Sequence, residues 1–423
     1  MNDYKVINDP VFGFIKVPRG LLLDIVKHRL FQRLSRIKQL GMASVVYPGA
    51  QHTRFQHSLG AFHLMSEAIL SLQQKGIFIF DSEAEALKAA ILLHDVGHGP
   101  FSHVLEHTLI SGISHEQISL MMMEEMNREM QGRLTLAIKI FKDDYPKRFL
   151  HQLISSQLDM DRLDYLRRDS FFTGVTEGNI GSARIIKMLN VVDDRLVVEQ
   201  KGIYSIENYL TSRRLMYWQV YLHKTTVAYE KTLVCLLRRA KYLAQRGDEV
   251  FATPALRYFL YNNVTAEHFD ADPQALANYE LLDDNDIWAS VKTWMGHPDR
   301  VLSLLATDLA ERKIFRVEVS REPFADADVQ ALQQQLADAF GVTFDDAAYL
   351  MSVNTIQKDM YDPSEEQIDI LQTSHQPFQL GQEQAETELE EKHLVDIAEA
   401  SELFNISLLS KKIRKYYLCY QRI

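Results

Sequence analysis

Cysteine is nearly absent: Cys235 and Cys419 are the only two in 423 residues. They lie far apart in apolar surroundings and read as reduced core thiols of a cytoplasmic protein, against a disulfide framework or a thiolate metal site. No apolar run approaches the ~20 residues of a membrane span, and Met1–Lys5 is polar with no signal core, so no membrane partner is expected. A basic excess is also missing. Lys and Arg total 46 against 57 Asp and Glu, a net charge of -11. That balance argues against nucleic acid as a partner, and leaves room for a local basic pocket. There is no internal repeat and no low-complexity tract. The remaining composition is that of an ordinary soluble chain, long enough for one large core and a second domain.

Along the chain, residues 1–20 read as an extended arm with turns at Asn8-Asp9-Pro10 and Pro18-Arg19-Gly20, and Val11 to Val17 as a strand or hairpin. Leu22, Ile25, Val26, Leu30, Leu34 and Ile37 then recur at helical spacing, and Gly41 ends that helix. Further helices are expected from Thr53 to Leu72, Ala84 to Leu93, His115 to Glu129 and Phe149 to Leu158. Val191 to Glu199 reads as a β-hairpin, and Ser205 to Arg246 as one or two long helices. After about residue 300 the texture changes. Phe315 to Val319, Ala348 to Asn354 and Gln367 to Leu371 read as strands, and Ala327 to Phe340 as a helix stopped by Gly341. Gln382 to Lys392 reads as a solvated helix start or loop, and Leu394 to Tyr420 as a helix. The expected fold is mostly α: a helical bundle over residues 1–300, and a smaller α+β domain over 301–423, with an oligomerisation or regulatory role left open.

The stretch Leu92-Leu93-His94-Asp95-Val96-Gly97-His98-Gly99-Pro100-Phe101-Ser102-His103 stands out. An apolar helix delivers His94 and Asp95 side by side, and Gly97, Gly99 and Pro100 break it. For the dipeptide alone, a histidine interacting with the helix dipole is the plainer reading. Further histidines in one interrupted stretch weaken that reading. His57 and Asp161 lie on other helical segments, and ligands drawn from different helices are how a bundle builds an inward-facing metal site. His57, His94, Asp95 and Asp161 offer imidazole and carboxylate donors that suit a divalent cation and leave coordination positions open.

The H…HD…D pattern of these residues resembles the HD-domain phosphohydrolases. Lys38-Gln39-Leu40-Gly41, Tyr47-Pro48-Gly49-Ala50, Arg54 to Gly60, His94 to His103, His115-Glu116 and Asp161 to Asp169 recur in that order. Together they resemble the deoxynucleoside triphosphate triphosphohydrolase branch, the dNTPases, over roughly residues 5–260. The resemblance implies an HD helical bundle and cleavage of a dNTP into deoxynucleoside and inorganic triphosphate by water attack on the α-phosphorus. It implies a divalent ion (Mg, Mn, Fe, Zn or Ni) on His57, His94, Asp95 and Asp161. His115, backed by Glu116, becomes the general acid, and His98 and His103 contact the α-phosphate and nucleophile. Arg54 falls near the α-phosphate, Arg162 and Arg213 near the distal phosphates, and Tyr165 against a phosphate oxygen. Gln39 and Asp169 match the pair that reads the 3′-hydroxyl, and Leu40 and Tyr221 crowd the 2′ position.

The sequence departs from the branch in several places. Arg stands at 162 where the family often has Lys. Leu222 replaces a Gln at the base edge. Lys27 and Ser35 stand where the regulated members place an Asp and an Arg around a guanine nucleotide, so regulation is either absent or uses another allosteric nucleotide. A homo-oligomer, dimer or tetramer, is expected. Two other readings compete: another HD-type nucleotidase or phosphodiesterase, and a non-catalytic nucleotide-binding HD scaffold.

Overall fold

The computed structural model describes residues 3–101, 104, 108–358, 361, 366–374, 391–402 and 412–423. The N-terminal arm is an antiparallel hairpin, Tyr4–Asp9 with Gly13–Pro18, in register from Tyr4↔Pro18 to Asp9↔Gly13. Its inward residues Ile15 and Val17 are buried in the helical core. The helix expected from Leu21 to Gly41 is broken. Leu21–Lys27 and Arg29–Arg33 are separated at His28, whose extended backbone and Nδ1, accepting from the Leu30 N–H at 3.3 Å, start a new helix.

The central helices are those that carry the site. Arg54–Gln74 is opened by Gln56, whose side chain accepts the Thr53 N–H at 2.9 Å. Asp81–Leu93 ends at His94. His115–Glu129 starts on Ser114, whose Oγ accepts the Gln117 N–H while Gln117 accepts the Ser114 N–H. Met160–Thr173 starts on Asp159 and stops at Gly174, which takes the left-handed conformation at φ 77°. The segment expected as a helix from Phe149 to Leu158 is only Arg148–Gln152 followed by turns. The region expected as one or two helices is Ile203–Met216 and Lys224–Gln245, joined by a π turn at Tyr217–Tyr221. Such turns gather at functional sites.

The C-terminal region carries the main correction. Among the described residues, Leu394 to Tyr420 is not one helix: it holds the end of the strand Glu391–Asp396, the short helix Ile397–Ala400 and the strand Ile413–Tyr420, while 403–411 lie outside the described residues. Ile413–Tyr420 lies between Arg316–Ser320 and Met351–Lys358, antiparallel to both. Its end, Tyr417 to Tyr420, is buried, and a short apolar run of a central strand has no helical or alternating signature to read. Most of Gln382 to Lys392, residues 382–390, lies outside the described residues. The expected 191–199 hairpin is present as Leu189–Val192 with Arg195–Glu199. It accepts Asp369–Ser374 as a parallel neighbour, Val198 facing Ile370, so one sheet joins the two parts of the chain. Cys235 and Cys419 are both buried. Among the described residues, no helix is long and apolar enough to cross a membrane.

Candidate active site

His57, His94 and Asp161 come from three helices and converge: one donor atom of each lies within 4.8 Å of the others. The rings are oriented by what their outer nitrogens do. His57 Nδ1 is 2.7 Å from Asp164 Oδ2, and His94 Nδ1 is 2.7 Å from the Ile91 carbonyl. Each Nδ1 therefore carries a hydrogen, and each Nε2 faces the common centre. Nε2 of His57 is 3.0 Å from Asp161 Oδ1, and Nε2 of His94 is 3.5 Å from the same oxygen. Asp95 sits at the edge of this group. Its Oδ2 is 3.7 Å from His57 Nε2 and accepts from Arg54 Nη1, and its Oδ1 is 3.3 Å from His98 Nε2.

The electrostatics are those of a cation site. Burial lowers the pKa of His57, but Asp161 and Asp164 outweigh burial and push it up to about 10. Burial raises Asp161, yet His57 and His94 hold its carboxyl well below the ordinary range. Two buried imidazole nitrogens with one or two carboxylate oxygens, Asp161 half-buried among them, fit a divalent ion of mixed N/O preference.

The backbone after His94 is held from several sides. Gly97 N–H donates to Ser119 Oγ at 2.9 Å, and Ser119 Oγ donates to the His94 carbonyl at 2.9 Å. Arg33 Nη1 donates to the Val96 and His98 carbonyls, and the Tyr279 hydroxyl donates to the Gly97 carbonyl at 2.8 Å. Asp284 accepts the Lys38 and Phe101 N–H groups at 2.9 and 3.1 Å. This bracing brings His98 against His115, ring centroids 3.8 Å apart and stacked. Burial, Arg54 and His115 together hold the His98 imidazole well below its ordinary pKa. His115 Nε2 is 3.2 Å from the largely exposed carboxylate of Glu116. His103 lies outside the described residues.

The remaining site residues form a wall running away from the metal corner. Asp169 is buried, with Oδ1 2.7 Å from His52 Nε2 and Oδ2 accepting from the Tyr221 hydroxyl at 2.7 Å. Gln39 N–H donates to the His52 carbonyl, and Gln39 Oε1 is buried without a partner. Leu40 packs half-buried beside it. The Tyr221 and Tyr165 rings meet edge-on at 6.1 Å. Burial and Tyr217 raise the Tyr165 hydroxyl well above its usual pKa, against the nearby charges of Arg213 and Arg162. Arg162 bonds Asp159, Arg213 donates to Gln157 Oε1 at 2.9 Å, and the Nε of each is buried without a partner. An anion laid along this wall would find both arginines.

Sequence reasoning missed the residues behind these. Asp164, Arg168, Asp9, His52, Arg33, Tyr279 and Asp284 all brace the site, and five of them lie outside the quoted motifs or on distant segments. Asp164 and Arg168 had a readable signal: they follow Asp161 by three and seven positions, the spacing of one helix face.

Likeness to known proteins identifies the family. Residues 54–169 match the family model described as HD domain, and residues 180–249 match the HD associated region. The uncharacterized protein YwfO of Bacillus subtilis is 32% identical over 378 residues, 87% of this chain and 84% of its own length. The crystal structure of a phosphohydrolase from Bacteroides thetaiotaomicron superposes with a TM-score of 0.92 at 63% identity, covering 99% of this chain and 100% of that one. The human deoxynucleoside triphosphate triphosphohydrolase SAMHD1 is 31% identical over 264 residues, 52% of this chain and 42% of the relative. This chain thus spans less than half the length of that relative. Likeness along nearly the whole chain, with the His57, His94 and Asp161 donors gathered where the HD model matches, places this protein in the HD-domain phosphohydrolase family.

Proposed function

We propose that the protein hydrolyses deoxynucleoside triphosphates to deoxynucleoside and inorganic triphosphate. The observation that supports the reading is the continuity of the wall: Arg162 lies in the field of both Asp161, at the metal corner, and Tyr165, Tyr165 is beside Arg213 as well, and its ring meets Tyr221, which bonds Asp169. A triphosphate with its sugar has one obvious way to lie on such a surface. Phosphates face the arginines and the α-phosphorus faces the metal corner, which leaves the sugar at Asp169.

His57, His94, Asp161 and Asp95 would hold a divalent ion, which when bound supplies charge stabilisation for the phosphoryl oxygens and an acidified water. The chain's own groups do the rest. Arg162 and Arg213 bind the distal phosphates through forked N–H donors. Arg54, fixed on Asp95, adds positive charge at the α-phosphate end. His115, oriented by Glu116, donates a proton to the departing 5′-oxygen, and His98 beneath it holds its ring in place. Asp169 accepts the 3′-hydroxyl. The Tyr221 ring, tethered to Asp169 by its own hydroxyl, occupies the space that a 2′-hydroxyl would need.

The test is incubation of purified protein with each dNTP and NTP, with Mg²⁺ or Mn²⁺, followed by product chromatography. Inorganic triphosphate and deoxynucleoside from dNTPs alone supports the reading. Orthophosphate, ring opening of a cyclic nucleotide, or no turnover overturns it.

A further inference from the structure

The N-terminal hairpin has no role in the reaction described above, yet the last residue of its first strand, Asp9, bonds an arginine that reaches toward the metal corner. Asp9 is buried, and its Oδ1 accepts the Val11 and Phe12 N–H groups at 3.0 and 2.9 Å, which fixes the turn. The same carboxylate receives Arg168 Nη1 at 2.8 Å on Oδ2 and Nη2 at 3.3 Å on Oδ1. Arg168 is fully buried, and its other edge grips Asp164 through Nε at 2.9 Å and Nη2 at 3.1 Å. Asp164 then takes His57 Nδ1 at 2.7 Å. We propose that Asp9 is a positioning residue of the metal centre: through Arg168 and Asp164 the hairpin fixes the orientation of the His57 ring.

Two independent features support a built chain over incidental contact. First, Gly60, one turn along the helix from His57, leaves the room that the pair occupies. A Cβ there would lie 1.9 Å from Asp164 Oδ1 and 2.1 Å from Arg168 Nη2. Second, the hairpin's Phe12 ring lies under the guanidinium groups of Arg167 and Arg168, at 4.7 and 5.7 Å from the ring centre. The charges along the chain alternate as Asp9, Arg168 and Asp164. Without Asp9, Arg168 would be held from one side only, and Asp164 would lose the fixed partner that sets its carboxylate against His57 Nδ1.

The test is Co²⁺ titration of the metal-stripped full chain, read by its visible spectrum and by the dissociation constant. Asp9→Asn should weaken Co²⁺ binding about tenfold, the low end for an outer partner of a metal-bound histidine, and change the spectrum. Arg168→Lys keeps the charge but replaces the two-sided fork with a point donor, so it should do the same. It also keeps the question answerable if Asp9→Asn does not fold. Val17→Ala removes buried apolar contact from the same hairpin without touching the chain, and should lower thermal stability while leaving the Co²⁺ constant and spectrum as in the wild type. Wild-type binding by either folded Asp9 or Arg168 variant, or equal weakening by Val17→Ala, overturns the inference alone. Failure of the wild type to bind Co²⁺ overturns the metal centre with it.

Discussion

Gly97 is where a single methyl group should separate metal binding from turnover. A Cβ at this position would lie 2.2 Å from Ser119 N, 2.3 Å from the His115 carbonyl oxygen and 2.8 Å from Ile118 C. All three are backbone atoms of the His115–Glu129 helix, so no side chain can swing aside. Ordinary contact begins at 3.4 Å, so the helix must retreat by 3.4 − 2.2 = 1.2 Å. That helix carries His115, stacked on His98 at 3.8 Å. A displacement of about 1 Å in a catalytic group costs on the order of 100-fold in rate. Overpacking of this kind costs ~1–3 kcal/mol, and the strained Gly97–Ser119 hydrogen bond adds ~1 kcal/mol. A domain with ~5–15 kcal/mol of stability survives both.

For Gly97→Ala we therefore expect a folded protein with a lowered melting temperature and a kcat for triphosphate release down about 100-fold. Its Co²⁺ constant should stay near that of the wild type, because the donor atoms of His57, His94 and Asp161 belong to helices other than the one that retreats. Gly99→Ala provides the contrast. Its Cβ would crowd a single side-chain atom, the Tyr279 hydroxyl, at 2.9 Å and no helix backbone, so the loss should be smaller. An unchanged kcat in Gly97→Ala would refute the claim that this close approach sets the position of His115. Loss of Co²⁺ binding would show that the His94 corner moves and the helix does not.

Other perturbations probe separate parts of the same reasoning. His57→Ala and Asp161→Ala should each abolish Co²⁺ binding and turnover; a variant that keeps its metal removes that residue from the centre. His115→Ala should bind Co²⁺ normally and lose ~10²–10⁴-fold in kcat, and normal turnover would end its role as the acid. Asp284 gives a pH prediction. Burial raises its carboxyl from 3.8 to about 6 in spite of the Lys38 and Phe101 N–H bonds. The folded state thus holds this proton more tightly than the unfolded chain does. Its stabilising contribution is fully present below pH about 4 and is lost as pH rises through about 6, a change of up to ~3 kcal/mol. Denaturation of wild type and Asp284→Asn at a series of pH values should show their difference shrinking over that window. A difference that does not vary with pH would refute it.

What the sequence made legible was local chemistry on regular elements. The helices read as starting at Thr53 and at His115 are present, and the Gly-interrupted His94–His103 stretch marks a helix end. The residues that gather at the corner were readable because ligand side chains must be of a few kinds. What was not legible depends on partners far along the chain. His28 breaks a helix without glycine or proline, by capping the next turn with its own ring. Ile413–Tyr420 becomes a strand because two other strands flank it, which no local period records. Asp9 sits in what reads as an ordinary Asn-Asp-Pro turn. Its second function exists only because Arg168, far away in sequence, arrives beneath it.

The same remoteness fixes how much of the chain the site needs. The HD model matches residues 54–169, which contain every candidate metal ligand. Yet the backbone carbonyls of Val96, Gly97 and His98 are satisfied by Arg33 and Tyr279, and the Phe101 N–H by Asp284. Asp9 closes the other side, behind His57. Buried backbone groups left without partners cost ~1–3 kcal/mol each, so a loop stripped of these donors and acceptors would not keep the turn that sets His98 against His115. The ligands alone therefore do not make the centre. The working unit runs from Asp9 to at least Asp284, and the helices past residue 260 belong to the active site as surely as the histidines do.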